Sequence, residues 1–114
     1  MITAIVRYRL PAEIDRAACR AHFEAIAPGF SEVKGLLSKH FICSERGVAG
    51  GVYQWRSKAD AEAFYSGPWW DGIIQRYGMA PEIEFFTVFA KTDNEAGTVT
   101  IVEAAPADAA SAAE

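Results

Sequence analysis

The chemistry this sequence offers is concentrated in two histidines and a dense set of aromatic side chains. A histidine titrates close to neutrality and suits proton transfer. A tyrosine hydroxyl can donate to a developing oxyanion. His40 and Tyr53 lie on two strand-like runs joined by Glu45-Arg46-Gly47-Val48. With an even number of residues in that hairpin loop, they stand opposite each other on one face, as base and hydroxyl donor. Tyr8, Trp55, Phe64, Trp69, Trp70 and Phe86 are the rings available to wall a dry substrate pocket around them. The same residues also suit plainer roles. Phe64, Trp70 and Phe86 fit a packed core better than a ligand wall, and His40 fits a structural or interface position. Trp69 points about 100° away from Trp70 on a helix, so the two cannot both face inward. His22 falls on a helix flank near Ala18 and Ala25 and carries little functional weight. Gly50-Gly51 is no phosphate loop, because no helix starts directly after it; glycines within a strand mark a bulge or a close approach. Cys19 and Cys43 match no zinc or redox spacing and read as two reduced, buried thiols.

The elements that must position these groups are legible from periodicity. Ile2 to Leu10 alternates as a strand, with Ile2, Ala4, Val6, Tyr8 and Leu10 on one face and Thr3, Ile5, Arg7 and Arg9 on the other. Glu13 to Ala27 reads as a helix with its stripe at Cys19, Phe23 and Ile26, ended by Pro28-Gly29. Leu36 to Ser44 and Gly50 to Trp55 read as an antiparallel hairpin. Ser57 caps a helix from Lys58 to Tyr65, Gly67-Pro68 interrupts it, and a second helix runs from Trp69 to Tyr77 until Gly78. Glu82 to Ala90 reads as a fourth strand and Thr98 to Glu103 as a short fifth.

The order β-α-β-β-α-α-β is the split βαβ, ferredoxin-like pattern of an α+β protein, with the second helix broken in two. Its four strands are expected in one antiparallel sheet of spatial order 4-1-3-2, with helices on one face only. The strands nevertheless carry large apolar residues at both parities, such as Phe41 against Ile42 and Phe85 against Phe86. A second layer is therefore expected on the uncovered face, and a second copy of the chain is its simplest source. Arg7 and Arg9 are expected to pair with Glu82 and Glu84 across neighbouring strands rather than to form an anion site. With 114 residues, the chain is read as one domain over 1–103, followed by a mobile Ala-rich tail over 104–114. The net charge of −4 with no basic block argues against nucleic acid and membrane surfaces as partners. No targeting or membrane-spanning run is evident, so the cytoplasm is the expected compartment.

Ala49-Gly50-Gly51-Val52-Tyr53-Gln54-Trp55, followed by Ser57-Lys58-Ala59-Asp60-Ala61-Glu62-Ala63-Phe64-Tyr65, resembles the YdhR-like monooxygenase family of the dimeric α/β-barrel superfamily. The strand Gly35-Leu36-Leu37-Ser38-Lys39-His40-Phe41 and the helix from Trp70 to Tyr77 fit the same pattern, which covers roughly residues 2 to 92. The resemblance implies a homodimer with facing sheets and a pocket between each subunit's helices and its own sheet. It further implies a cofactor-independent monooxygenase, with no metal or other cofactor, acting on a small apolar or aromatic, quinol-like molecule. Haem-degrading relatives place an Asn on the first strand and a His on the helix after the hairpin; this chain has Arg7 and Arg9 on the strand and no His on that helix. The competing expectation is a small-ligand-binding or stress-response dimer without catalysis, or a plain subunit-interaction module with a closed core.

Overall fold

Apolar residues at every even position make the first segment a half-covered strand, β1 (Ile2–Arg9), whose even-numbered residues are buried. The computed structural model describes residues 1–102 of the chain. The tail expected from 104, and Glu103 before it, lie outside the described residues. After β1 come α1 (Arg16–Ile26), a single 3₁₀ turn (Ala27–Phe30), β2 (Leu36–Cys43), β3 (Val48–Trp55), α2 (Lys58–Tyr65), α3 (Pro68–Tyr77), β4 (Glu82–Thr87), β5 (Ala90–Asp93) and β6 (Thr98–Ile101). The four main strands form one sheet in the order β2-β3-β1-β4, antiparallel throughout. This is the expected 4-1-3-2 arrangement.

Local chemistry sets the helix limits. α1 starts later than its apolar stripe implies, because the Asp15 carboxylate accepts from the Ala18 N–H at 2.8 Å and so caps the first turn. Ser57 caps α2 through the Asp60 N–H at 3.2 Å, as the sequence indicates. Pro68 opens α3, and Gly78 closes it in the left-handed conformation at φ 73°.

Two expectations are corrected. The fourth strand ends at Thr87 instead of running to Ala90: the Val88 N–H donates to the Met1 carbonyl at 3.1 Å, and beyond Met1 the first strand offers no further partner. The fifth strand then pairs with no main strand. It is β6, which pairs with β5 in a separate two-stranded ribbon. The ribbon's turn is held by the Ala96 N–H donating to Asp93 Oδ1 at 3.0 Å.

The second correction is one of register. Cys43 stands opposite Ala49, so the residues between this pair number five, 44–48, an odd count where an even one was expected. The Ser44 N–H donating to the Val48 carbonyl at 2.7 Å fixes that closure. The odd count places His40 opposite Val52, and Lys39 opposite Tyr53. His40 is thus exposed on the face away from the helices. A shift of one residue exchanges the faces of every side chain on a strand.

The core lies between the helices and one face of the sheet. Ile2, Ala4, Val6, Tyr8, Ala49, Tyr53 and Trp55 meet Cys19 and Phe23 of α1, Ala61 and Tyr65 of α2, and Tyr77 of α3. Trp55 is fully buried, stacks on Tyr53 with ring centroids 5.9 Å apart, and donates its indole N–H to the Tyr65 hydroxyl at 3.1 Å. The opposite face carries Ile5, Ile42, Val52 and Phe86; Ile42 and Phe86 are 38% and 40% exposed. Arg7 meets Glu84 diagonally there at 3.9 Å, while its directly opposite residue is Glu82.

Candidate functional site

Between α1, α3 and the sheet lies a cavity of about 270 Å³. Its floor is β-sheet: Tyr8 from β1, Lys39 from β2, and Gly50 and Tyr53 from β3. Its walls are His22, Phe23 and Ile26 of α1, Phe30 of the 3₁₀ turn, and Trp69, Gly72, Ile73, Arg76 and Tyr77 of α3. Each group reaches the cavity for a local reason. The β1 and β3 side chains arrive by the two-residue alternation. Trp69 and Arg76 sit seven positions apart, two helical turns on one face of α3. Gly50 belongs to the Gly-Gly pair for a steric reason: a Cβ there would strike the Val6 carbonyl oxygen of the neighbouring strand. The pair therefore marks a close approach.

The polar groups in this cavity are tuned by burial. The Tyr8 phenol is pushed up by desolvation and then by its hydrogen bond with Tyr77, on which its ring stacks at 4.0 Å. Burial likewise pushes the Tyr53 phenol up, against a smaller opposing pull from a hydrogen bond with Trp69. Both phenols remain protonated donors at neutral pH. His22 is held below its ordinary value by desolvation and then by the nearby Arg76 charge. Desolvation also drives the Lys39 amine down to about 7. Its Nζ lies 3.7 Å from the Phe30 ring centroid, 3.8 Å from Phe41 and 4.5 Å from Tyr53. Among the described residues no Asp or Glu lines the cavity.

The expected site residues divide accordingly. Tyr8, Tyr53 and Trp69 come together in the cavity. Trp55 and Phe64 do not line it: Trp55 is sealed in the core, and Phe64 is half-buried against it at 5.6 Å. Trp70 is half-buried and turned away from the cavity by the 100° step from Trp69. Phe86 and His40 stand on the opposite sheet face, so the His40–Tyr53 pair is not formed. In place of His40, the cavity holds His22 and Lys39. His22 was discoverable, because it lies three residues after Cys19 and four before Ile26, within the buried stripe of its helix. Lys39 depends on the hairpin register alone. Both cysteines are free; Cys19 is buried and Cys43 half-buried.

A second, more open groove of about 580 Å³ runs between α1 and β2, past Arg16, Arg20, Phe41 and Cys43. It lacks the converging phenols and amine of the inner cavity. Among the described residues no cluster of three or more His, Cys, Asp or Glu is arranged to hold a metal ion. None of the described helices is long and apolar enough to cross a membrane.

An antiparallel sheet in this order, covered on one face by helices, is the ferredoxin-like fold, and solved structures of low sequence identity share it. A candidate antibiotic biosynthesis monooxygenase of Deinococcus radiodurans superposes with a TM-score of 0.63 at 13% identity, over 82% of this chain and 97% of that one. A protein of unknown function from Nitrosomonas europaea, NE2512, gives a TM-score of 0.66 at 15% identity, over 80% and 91%. A monooxygenase from the gene ActVA-Orf6 of Streptomyces coelicolor, solved in complex with the ligand nanaomycin D, gives 0.53 at 21% identity, over 76% and 86%. No family model and no curated protein matches the sequence.

Proposed function

We propose that this chain is a YdhR-like, cofactor-independent monooxygenase that oxidises a small aromatic or quinol-like molecule in the cavity between α1, α3 and the sheet. The observation that carries this reading is the composition of the cavity. Aromatic walls from Phe23, Phe30 and Trp69 surround phenol donors from Tyr8 and Tyr53 and nitrogen groups from His22 and Lys39. Such a site excludes water, holds a flat apolar ring, and supplies both a proton acceptor and donors to a developing oxyanion. The substrate itself furnishes the electrons. One atom of O₂ enters a ring carbon para to a hydroxyl as a carbonyl, and the other leaves as water with the displaced hydrogens. The monooxygenase neighbour that binds nanaomycin D supports the reading.

The working form on this proposal is a cytoplasmic homodimer. The uncovered sheet face, with Ile5, Ile42, Val52 and Phe86, lies against the same face of a second copy. Exposed Phe89, Val99 and Ile101 of the ribbon add apolar area beside it.

Oxygen uptake with dihydroxynaphthalenes, measured against a protein-free control, tests the activity. Uptake should scale with protein and fall about tenfold in Tyr53→Phe, the loss of about 1.4 kcal/mol of oxyanion stabilisation. His40→Ala should leave it unchanged, because His40 lies on the other face. Uptake equal to the control would remove the oxygenase. If the same compounds still raised the melting temperature, the non-catalytic ligand-binding or stress-response dimer would take its place.

A further inference from the structure

Lys39 stands in the cavity with its chemistry incomplete. A lysine amine withdrawn from water ordinarily faces a carboxylate. Among the described residues Lys39 makes neither an ion pair nor a hydrogen bond, and its Nζ is enclosed by the faces of Phe30, Phe41 and Tyr53. The backbone is adapted to this placement. A Cβ at Gly51 would come within 2.8 Å of the Tyr53 ring and 2.9 Å of Lys39 Cε, so the missing side chain makes room for both. The titratable and charged groups that share the cavity are His22 from α1, Arg76 and Tyr77 from α3, Tyr8 from β1 and Tyr53 from β3. Arg76 is permanently cationic, and the Tyr8 and Tyr53 phenols stay neutral. None of these supplies a negative charge, so the cavity has the means to hold an anion and contains none of its own.

We propose that the cavity takes its ligand as a phenol whose hydroxyl gives its proton to the Lys39 amine, leaving a phenolate–ammonium pair lodged against Phe30, Phe41 and Tyr53. This rests on the monooxygenase reading for the place of the ligand, and it names the ligand's ionisable group and the residue that accepts the proton. The step is balanced: the phenol O–H bond breaks, an N–H bond forms, and the net charge of the cavity does not change. Before transfer, a neutral amine is the inexpensive state in an apolar surround. After transfer, the two charges attract strongly because little water lies between them, and the three rings hold the ammonium. A phenolate is also the electron-rich form that a reaction with O₂ requires.

The test uses 4-nitrophenol, whose phenolate is yellow and whose phenol is colourless, titrated into the wild-type protein at a series of pH values that spans the dye's own transition. The expected result is saturable binding with the bound dye yellow, its titration displaced downward by about one pH unit, a tenfold bias toward phenolate. Lys39→Met should keep the fold by circular dichroism and lose that bias, while Lys34→Met, altered on an exposed lysine, should retain it. Dye bound colourless to the wild type would overturn the role of Lys39 and leave the pocket standing. A bias that survived in Lys39→Met would overturn it in favour of His22 or Arg76. Absence of any saturable binding would overturn both the inference and the pocket on which it rests. If Lys39→Met fails to fold, colourless bound dye in the wild type still overturns the role of Lys39, and loss of the bias in His22→Gln or Arg76→Met does the same.

Discussion

The two faces of the one sheet are built from the same strands and differ in almost everything else. On the helix side, Ile2, Val6, Tyr53 and Trp55 are at most 1% exposed, and the Tyr53 ring packs against those of Trp55 and Tyr65. On the other side, Ile42 and Phe86 stay open, His40 is in water, and Arg7 and Glu84 meet loosely at 3.9 Å. His40 and Lys39 are sequence neighbours with opposite fates. One is exposed to solvent; the other is half-buried among aromatic rings, and desolvation drives its amine down to about 7. Whether a side chain reaches the cavity is decided here less by its residue type than by the face to which strand register assigns it.

The contrast is broken most forcefully by cutting the packed face. Trp55→Ala removes a fully buried indole and its hydrogen bond to Tyr65, and should cost about 3–5 kcal/mol in urea unfolding. Phe86→Ala on the open face should cost no more than about 1 kcal/mol when the chain is dilute, where no partner covers the ring. The same change should become more costly as concentration rises, if the open face is where two copies meet. Equal losses from the two substitutions at every concentration would mean that the faces are not energetically distinct.

A smaller effect sharpens the comparison through pH. Lys39 has a folded-state pKa of about 7 against an ordinary 10.5, so between those values the unfolded chain holds more protons than the folded one. Stability should therefore rise with pH across that window, with a slope of at most roughly 1.4 kcal/mol per pH unit. Below about pH 7 both states carry the proton, and this contribution is flat. Lys39→Met should remove this rising contribution, leaving the opposite slope that the raised Cys19 thiol and the buried Tyr8, Tyr53 and Tyr65 phenols give at the alkaline end of the window. His40→Ala should leave the rising contribution intact. A rising slope that persisted without Lys39 would place the titrating group elsewhere.

Most of the fold was legible in the sequence because its signals are local. Alternation in β1 gave the buried parity residue by residue, Ser57 and Pro68 placed the starts of α2 and α3, and the order of elements gave the sheet order. The site was less legible because it depends on pairing. The residues enclosed by the hairpin's last pair are odd in number where an even count was expected, and that parity carries His40 out of the site and Lys39 into it. Phe86 was misplaced for a related reason, since in Phe85-Phe86 only one ring of the pair can face the helices. The β5–β6 ribbon was half read: the run at Thr98 is a strand, but its partner is Ala90–Asp93, which the pattern had merged into β4.

The smallest effect belongs to the charges that the sequence placed most readily. Arg7 and the acidic residues of β4 were expected to pair across strands, and Arg7 does meet Glu84, but diagonally, with both side chains well exposed. Water screens such a pair, and holding two long side chains in one geometry costs entropy. Arg7→Ala and Glu84→Ala, combined in a double-mutant cycle, should give a coupling between about 0 and 1 kcal/mol, shrinking as salt is added. The outcome also probes the open face. If a second copy covers these residues at working concentration, water is displaced from the pair and the coupling should grow when the cycle is repeated at high protein concentration. A coupling that is small and independent of protein concentration would show that the pair stays in water and that this face is not where two copies meet.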